Sequence, residues 1–398
     1  MTIFLLRICP LALAFVFCLG YCATGAQNDA TKEPEDKGSF EPRGIRSGKL
    51  VILPAMSYTL TYTDNSLRTS SHEQRDALQE FLPSLQVIFD RDGVASFNLT
   101  ATSGWHDYLR DTAKDYLSHA MNAELGLNHI FADGLSFTLA DQYLQSGNTS
   151  ALDNEMIAFT RYQSNKSDFK TEYRFNRFAI SGQYSFLLTD YFDRVNSAAN
   201  YVTHSGTLEG SYELVPERAR IFGSYKFNRT LYLLTDTNDF DSHELLTGMR
   251  GVYGKLTYTV GAGYAKSIAL RANQQNDGPI VSATLNYTPQ RRLNFILNAN
   301  RTFVAGISEG ATMNTALNFN MRITLTQRGT LVLSAMLNNS AHANGESLTT
   351  ILGSGNFEYK LSRHVWATVG FTHTEHTTTS GAGNFIINEA QVNFRLAW

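Results

Sequence analysis

Asn388-Glu389-Ala390-Gln391-Val392-Asn393-Phe394-Arg395-Leu396-Ala397-Trp398 alternates along its whole length. Val392, Phe394, Leu396 and Trp398 fall on one side of an extended chain, and Glu389, Gln391, Asn393 and Arg395 on the other. Successive side chains of a strand point to opposite faces, so one face of this ribbon meets an apolar medium and the other a wet one. A transmembrane barrel strand has this pattern, but so has a strand of a soluble sandwich, and the rest of the chain must decide between them.

The same period of two recurs upstream. Phe169, Thr171, Tyr173 and Phe175 alternate with Lys170, Glu172 and Arg174, and Leu317, Phe319, Met321 and Ile323 with Asn318, Asn320, Arg322 and Thr324. The connections discriminate. Tight turns are expected at Asp90-Arg91-Asp92-Gly93, Ala132-Asp133-Gly134, Asn176-Arg177, Val215-Pro216-Glu217-Arg218, Tyr253-Gly254, Thr288-Pro289-Gln290-Arg291, Gln327-Arg328-Gly329 and Ser362-Arg363. Longer polar or Gly-rich stretches lie between most of them, among them 147–154, 236–242, 271–278 and 342–346, with 65–77 and 377–384 flanking the series. Tight turns on one side and long loops on the other are how outer-membrane barrels place periplasmic turns and external loops.

The reading is therefore all-β: a single transmembrane antiparallel up-and-down barrel of about 18 strands, with 16 as the nearest alternative. An even count puts both termini on the periplasmic side. Residues 48–398 spread over that count give about 19 to 20 residues per strand plus connection, of which about 9 to 11 cross the membrane. Paired aromatics in the apolar register, such as Tyr58 and Tyr62 or Tyr184 and Phe186, fit belts at the two interfaces.

Composition agrees. Charged residues are 17% of the 398, mean hydropathy is slightly negative, and no stretch after the first thirty residues is apolar long enough for a spanning helix. Residues 1–26, with Arg7, the apolar run Ile8 to Leu19 and small residues Ala23 to Ala26, read as a cleaved secretory signal. All three cysteines, Cys9, Cys18 and Cys22, lie inside it, so disulfides and thiolate chemistry are excluded after cleavage. Residues 27–47 are polar and punctuated by Gly and Pro, and read as a flexible periplasmic tail too short to plug a lumen. A net charge of −3 gives no general attraction to nucleic acid.

The closing Phe394-Arg395-Leu396-Ala397-Trp398 resembles the terminal signature by which bacterial outer-membrane barrels are recognised for insertion, with Phe394, Leu396 and Trp398 as its apolar positions. Leu53-Pro54, Tyr58, Tyr62-Thr63-Asp64-Asn65 and Phe81-Leu82-Pro83-Ser84-Leu85 resemble the opening hairpin of a family of outer-membrane β-barrel porins, and Phe97 through Gln145 continues the likeness. Several members of that family are associated with exopolysaccharide synthesis and secretion operons. The resemblance implies a passive outer-membrane conduit for secretion of an extracellular polysaccharide in a Gram-negative cell. It also implies, as partners, lipid, lipopolysaccharide, the barrel-assembly machinery and periplasmic polysaccharide-export proteins. It carries no catalytic residue and no cofactor. A general or solute-specific diffusion porin, and a structural or adhesive surface barrel, remain open beside it.

With the terminal strand as reference, the wet face includes Glu124, Lys170, Glu172, Arg174, Glu209, Glu213, Arg220, Lys226, Arg322, Glu358, Lys360, Glu389 and Arg395. Both signs are present, which marks no simple cation or anion selector. Asn286, Asn294, Asn298, Asn300, Asn314, Asn318 and Asn320 repeat on the same side, and Trp366 joins them. Amides match sugar hydroxyls without imposing charge, and the indole could stack on a pyranose; equally, polar residues simply fill any water-lined wall.

No enzyme is expected. His373 and Glu375 share a face and His204 precedes Ser205, yet no spacing brings Ser, His and a carboxylate together. Gly306-Ile307-Ser308-Glu309-Gly310 has the G-x-S-x-G form but lies between two strands, where a nucleophile elbow needs a strand-to-helix turn. His342, His373 and His376 read as solvated loop histidines and not as a metal site.

Overall fold

The computed structural model describes residues 44–66, 74–128, 134–147, 161–192, 200–234, 238–271, 275–306, 310–341, 347–379 and 384–398. The strands are β1 (Ile45–Ser47), β2 (Leu50–Thr63), β3 (Asp76–Arg91), β4 (Ala95–Tyr108), β5 (Tyr116–Asn128), β6 (Leu135–Ser146), β7 (Tyr162–Phe175), β8 (Phe178–Tyr191) and β9 (Tyr201–Val215). They continue with β10 (Ala219–Tyr232), β11 (Phe240–Tyr253), β12 (Leu256–Ala269), β13 (Gln275–Gln290), β14 (Leu293–Gly306), β15 (Gly310–Thr324), β16 (Gly329–Ala341), β17 (Ser347–Lys360), β18 (Val365–Thr378) and β19 (Phe385–Ala397).

Each strand from β2 onward pairs antiparallel with the next, and β19 returns to β2, so β2 to β19 close an 18-stranded up-and-down barrel. The closing ladder is in register along its length: Glu389 faces Thr63, Val392 faces Leu60 and Ala397 faces Ala55. Beyond the last ladder pair, the Trp398 N–H donates to the Pro54 carbonyl at 3.2 Å.

Directly opposed residues in an antiparallel pair share a face. Val392, Val369 and Leu60 form one such row and Asn393, Thr368 and Thr59 the next. Followed around the barrel, this parity puts Tyr58, Phe169, Ile180, Leu208, Tyr225, Leu245, Tyr264, Leu317, Ile351, Val369 and Phe394 on the outside, all exposed. Large apolar side chains exposed together on one face of a closed sheet are a lipid-facing band. Near the short turns, aromatics of this band touch: Tyr173, Phe175, Phe178 and Tyr212 succeed one another at 5.7, 5.6 and 4.8 Å. Nearer the other end, Tyr184 and Tyr225 meet His204 and His243 Nδ1 at 2.7 Å, where the lipid face turns polar.

This parity makes a paired test. Val369→Arg on the outer face should cost about 2–4 kcal/mol, as a base at bilayer midplane does. Its neighbour Thr368→Arg, on the inner face, should stay within about 0.5 kcal/mol of wild type. Urea unfolding of the two variants in lipid vesicles reads the difference.

Seven of the eight hairpins from β3/β4 to β17/β18 turn at one end through 92–94, 176–177, 216–218, 254–255, 291–292, 325–328 and 361–364; at the same end Asn128 closes β5 and Gly134 precedes β6. At 176–177 the two-residue turn needs a positive φ, and Asn176 takes it at 53°. Pro289, which has no N–H to give the ladder, lies in the irregularity that separates Tyr287 from Gln290. At the opposite end, the Asp or Asn just before a strand repeatedly accepts the last N–H of the previous one. Asp115 serves Tyr108, Asn200 serves Tyr191, Asp239 serves Tyr232 and Asn384 serves Thr378, each at 2.7 Å.

Three expectations need correction. Ile45–Ser47, placed in the tail, is a strand that pairs with Leu50–Ile52, and Lys49 Nζ contacts the Asp92 carboxylate of the first turn. Asp92 is held below the usual carboxylate range chiefly by that hydrogen bond, with the charge of Lys49 adding to it. The loops placed at 236–242 and 271–278 are shorter, because β11 begins at Phe240 and β13 at Gln275, where ladder pairing with the preceding strands continues. Residues 1–26 and most of 27–47 lie outside the described residues.

Candidate functional site: the barrel interior

The pairing parity puts Glu124, Lys170, Glu172, Arg174, Glu209, Glu213, Lys226, Asn298, Asn318, Asn320, Arg322, Glu358, Lys360, Trp366, Glu389 and Arg395 on the face opposite the apolar band. They are not mixed at random. On β7 to β11 each inward base has a carboxylate. Lys166 meets Asp168 at 2.9 Å, Lys170 meets Glu172 at 3.4 Å beside Arg174, Arg220 meets Glu213 at 3.5 Å, Arg250 meets Glu209 at 2.5 Å and Lys226 meets Glu244 at 3.9 Å. Pairs this exposed add little stability, but opposite charges so close cancel each other's field in the lumen.

The wall from β13 to β16 is amide and hydroxyl. Asn294 donates to Asn286 at 2.7 Å, Ser334 to Asn320 at 2.7 Å, and Ser340 to Asn314 at 3.4 Å. Part of the amide capacity expected for a solute is therefore spent within the wall. Trp366 also departs from expectation: it is only 9% exposed, and the Arg395 guanidinium sits 5.8 Å from its ring, so a stacking platform for sugar is not available in this arrangement.

The interior feature that sequence parity did not anticipate is a hairpin folded into the lumen. Ladder pairing between β13 and β14 stops at Val281 and Arg301, while β14 and β15 stay paired up to Gly306 and Gly310. The freed tip swings inward until Cα atoms of β12 and β15, three strands apart, come within 8 Å. Phe303, Ala311 and Met313 carry the outer parity, yet they pack with Phe240, Leu246, Ala265 and Ile280 of the inner wall, and with Tyr201 and Tyr232. Gly278 lines the same bay, where even a Cβ would make only an ordinary contact with the Met313 methyl, at 3.6 Å. Thr302 Oγ1 donates to Glu244 at 2.9 Å, tying the root of the hairpin to β11.

The long-loop mouth is narrowed further by inward tyrosines at strand ends. Tyr162 and Tyr191 have ring centroids 5.9 Å apart, and Tyr201 and Tyr232 5.8 Å. All four are buried. The sequence reading assigned end-of-strand aromatics to lipid belts; their parity relative to the lipid-facing residues of the same strands is the signal that would have found this inner collar.

Near the same mouth Glu80, His106 and Ser118 come together from β3, β4 and β5, which no spacing had indicated. His106 Nε2 lies 2.7 Å from Ser118 Oγ and Nδ1 2.8 Å from Glu80 Oε1, with Tyr116 stacked on the imidazole at 4.1 Å. Gly104 permits the approach, since a Cβ there would lie 2.6 Å from Ser118 Oγ. The imidazole is sandwiched and buried, as in a clamp between strands. Gly306 ends one strand and Gly310 begins the next, while Ser308 and His342 lie outside the described residues. Two of the expected loop histidines are in the wall instead. His376 is buried against Phe385 at 4.6 Å, and outward His373 bonds Asn388 at 2.7 Å. Among the described residues no group of three potential metal ligands occurs.

No curated protein sequence matches this chain. Among solved structures it is similar to the outer-membrane protein OpdK of Pseudomonas aeruginosa, at 11% identity and TM-score 0.48 over 87% of this chain and 99% of that one. It is similar also to OccAB4 of Acinetobacter baumannii, at 9%, 0.46, 87% and 98%, and to a BenF-like porin of Pseudomonas fluorescens Pf-5, at 8%, 0.45, 87% and 99%. These likenesses are loose, and neither the pore size nor the solutes of those channels carry over. The family described as "Putative beta-barrel porin 2" matches residues 37–398, nearly the whole chain, and the protein belongs to that family.

Proposed function

We propose that this protein is a diffusion channel for small hydrophilic solutes in a Gram-negative outer membrane, with the short turns and both chain ends in the periplasm. On that orientation lipid and lipopolysaccharide meet the outer face, and the assembly machinery reads Phe394, Leu396 and Trp398. The observation that carries the reading is a polar inner wall, its charges paired on β7 to β11, narrowed at the long-loop end by the β14–β15 hairpin packed on an apolar patch of that wall. Such a wall suits small hydrated solutes.

Secretion of a polysaccharide, which the sequence resemblance implied, gains no support from this interior. An extended polymer would have to displace a hairpin packed through Phe303 and Met313 and hydrogen-bonded through Thr302. The test is single-channel recording on the purified barrel, with liposome swelling in neutral sugars of increasing size. Ion conductance and a size cut-off among the sugars support the channel; a barrel closed to both leaves the structural or adhesive reading standing.

A further inference from the structure

The inner wall is electrically two-sided in a way its overall charge hides. Every inward base on β7 to β11 has a carboxylate beside it. Arg322, Lys360 and Arg395, on β15, β17 and β19, have none within 4.0 Å among the described residues.

These three bases lie close to the short-turn end. Lys360, Trp366 and Arg395 form one row across adjacent strands, which sets the two cations about 10 Å apart at the backbone. Arg395 leans on the Trp366 ring, which fixes its guanidinium without neutralising it. Arg322 is exposed two strands from Lys360, in the row of Val332 and Asn356, which crosses β17 four residues up from Lys360. Among the described side chains, the acidic one in this sector at this end is Glu358, whose row with Thr368 and Asn393 runs between that of Arg322 and that of Lys360 and Arg395.

The turns beneath the same strands carry the same sign. Arg291, Arg292, Arg328 and Arg363 lie in turns 291–292, 325–328 and 361–364, which contain no acidic residue. An exposed cation in water gives a monovalent anion about 1 kcal/mol at 4 Å, roughly a fivefold local enrichment, and several in one sector of a narrow mouth reinforce one another.

We propose that the short-turn mouth under β14 to β19 is a binding station for the anionic group, a carboxylate or a phosphate, of a transported solute. Lys360 and Arg395 form the site, Arg322 adds a cation further along the same wall, and the turn arginines draw the anion to it. The inference rests on the channel reading and specifies its solute class. Guanidinium and ammonium donors suit carboxylate and phosphate oxygens alike, and the amides Asn356, Gln391 and Asn393 nearby can serve the hydroxyls of the same solute.

The experiment uses the purified full-length barrel and the triple variant Arg322→Gln, Lys360→Gln, Arg395→Gln, with heat-modifiable gel migration confirming that both are folded. Under a KCl gradient the wild type should show a chloride-selective reversal potential, and the variant should lose severalfold of that preference. In swelling assays, gluconate and glucose 6-phosphate should enter faster than glucose in the wild type and lose that advantage in the variant. An advantage for one anion alone identifies the group recognised. A conducting barrel without anion preference, or one whose preference survives the triple substitution, overturns the proposal while leaving the channel reading intact. A folded barrel closed to ions and sugars overturns both.

Discussion

Excising the hairpin tip, residues 303–313, and joining Thr302 to Asn314 through a short turn is expected to raise single-channel conductance severalfold and to admit larger sugars. The barrel loses no ladder pair between β13 and β14 in this deletion, because that pairing already ends at Val281 and Arg301. What it loses is the packing of Phe303, Ala311 and Met313 on Ala265, Ile280 and Leu246, which lies inside the lumen. A milder version is Glu244→Ala. It removes the acceptor of the Thr302 hydroxyl and of the Asn228 amide. A hydrogen bond to an ionised group is worth about 1.5–3 kcal/mol net, so the displaced-hairpin population should rise roughly tenfold or more. The variant should flicker to a higher conductance level. Unchanged conductance after the full excision would mean that the hairpin does not limit the passage.

Replacing Phe394 and Trp398 together by Asp is expected to leave most of the protein outside the membrane fraction. Both side chains lie on the outer face, 49% and 48% exposed, at the end of the strand that closes the barrel on β2. Two effects could produce the loss: a carboxylate on the lipid face is destabilising by an amount set by its depth, and the terminal aromatics serve as the insertion signal. Phe357→Asp separates them. Phe357 also faces outward, at 40% exposure and a similar distance from the short turns, but sits on β17 far from the terminus. If the terminal pair is a signal, the Phe357 variant inserts far better than the Phe394/Trp398 variant. Equal loss in both would reduce the terminal residues to ordinary lipid-facing aromatics.

The strand parity was legible from residues 388–398 because a one-residue slip would exchange every apolar and polar side chain, so register is strongly specified. That is why Lys170, Arg322, Glu358 and Arg395 could be placed on the inner face from sequence. Partnership was not legible. Arg250 finds Glu209, two strands and 41 residues away, while Arg395 lies over Trp366; both outcomes depend on which rows come level after closure. The Glu80–His106–Ser118 cluster was hidden for the same reason, since its three members come from three strands and share no local spacing.

By itself the sequence determined the class of the protein: alternation of period two, tight turns at one end and a terminal aromatic strand leave a closed transmembrane sheet as the consistent reading, and each side chain's face follows from it. Only the tertiary structure decided how the interior is used. Phe303 and Met313 satisfy the outer register equally well against lipid or against an apolar surface inside. They turn inward because Gly278, Ala265 and Ile280, supplied by other strands, form a bay of small and apolar groups beside a ladder that has come apart. Burial is non-directional and takes whichever apolar surface the fold brings near, so local pattern specifies that these residues are buried and long-range packing specifies where.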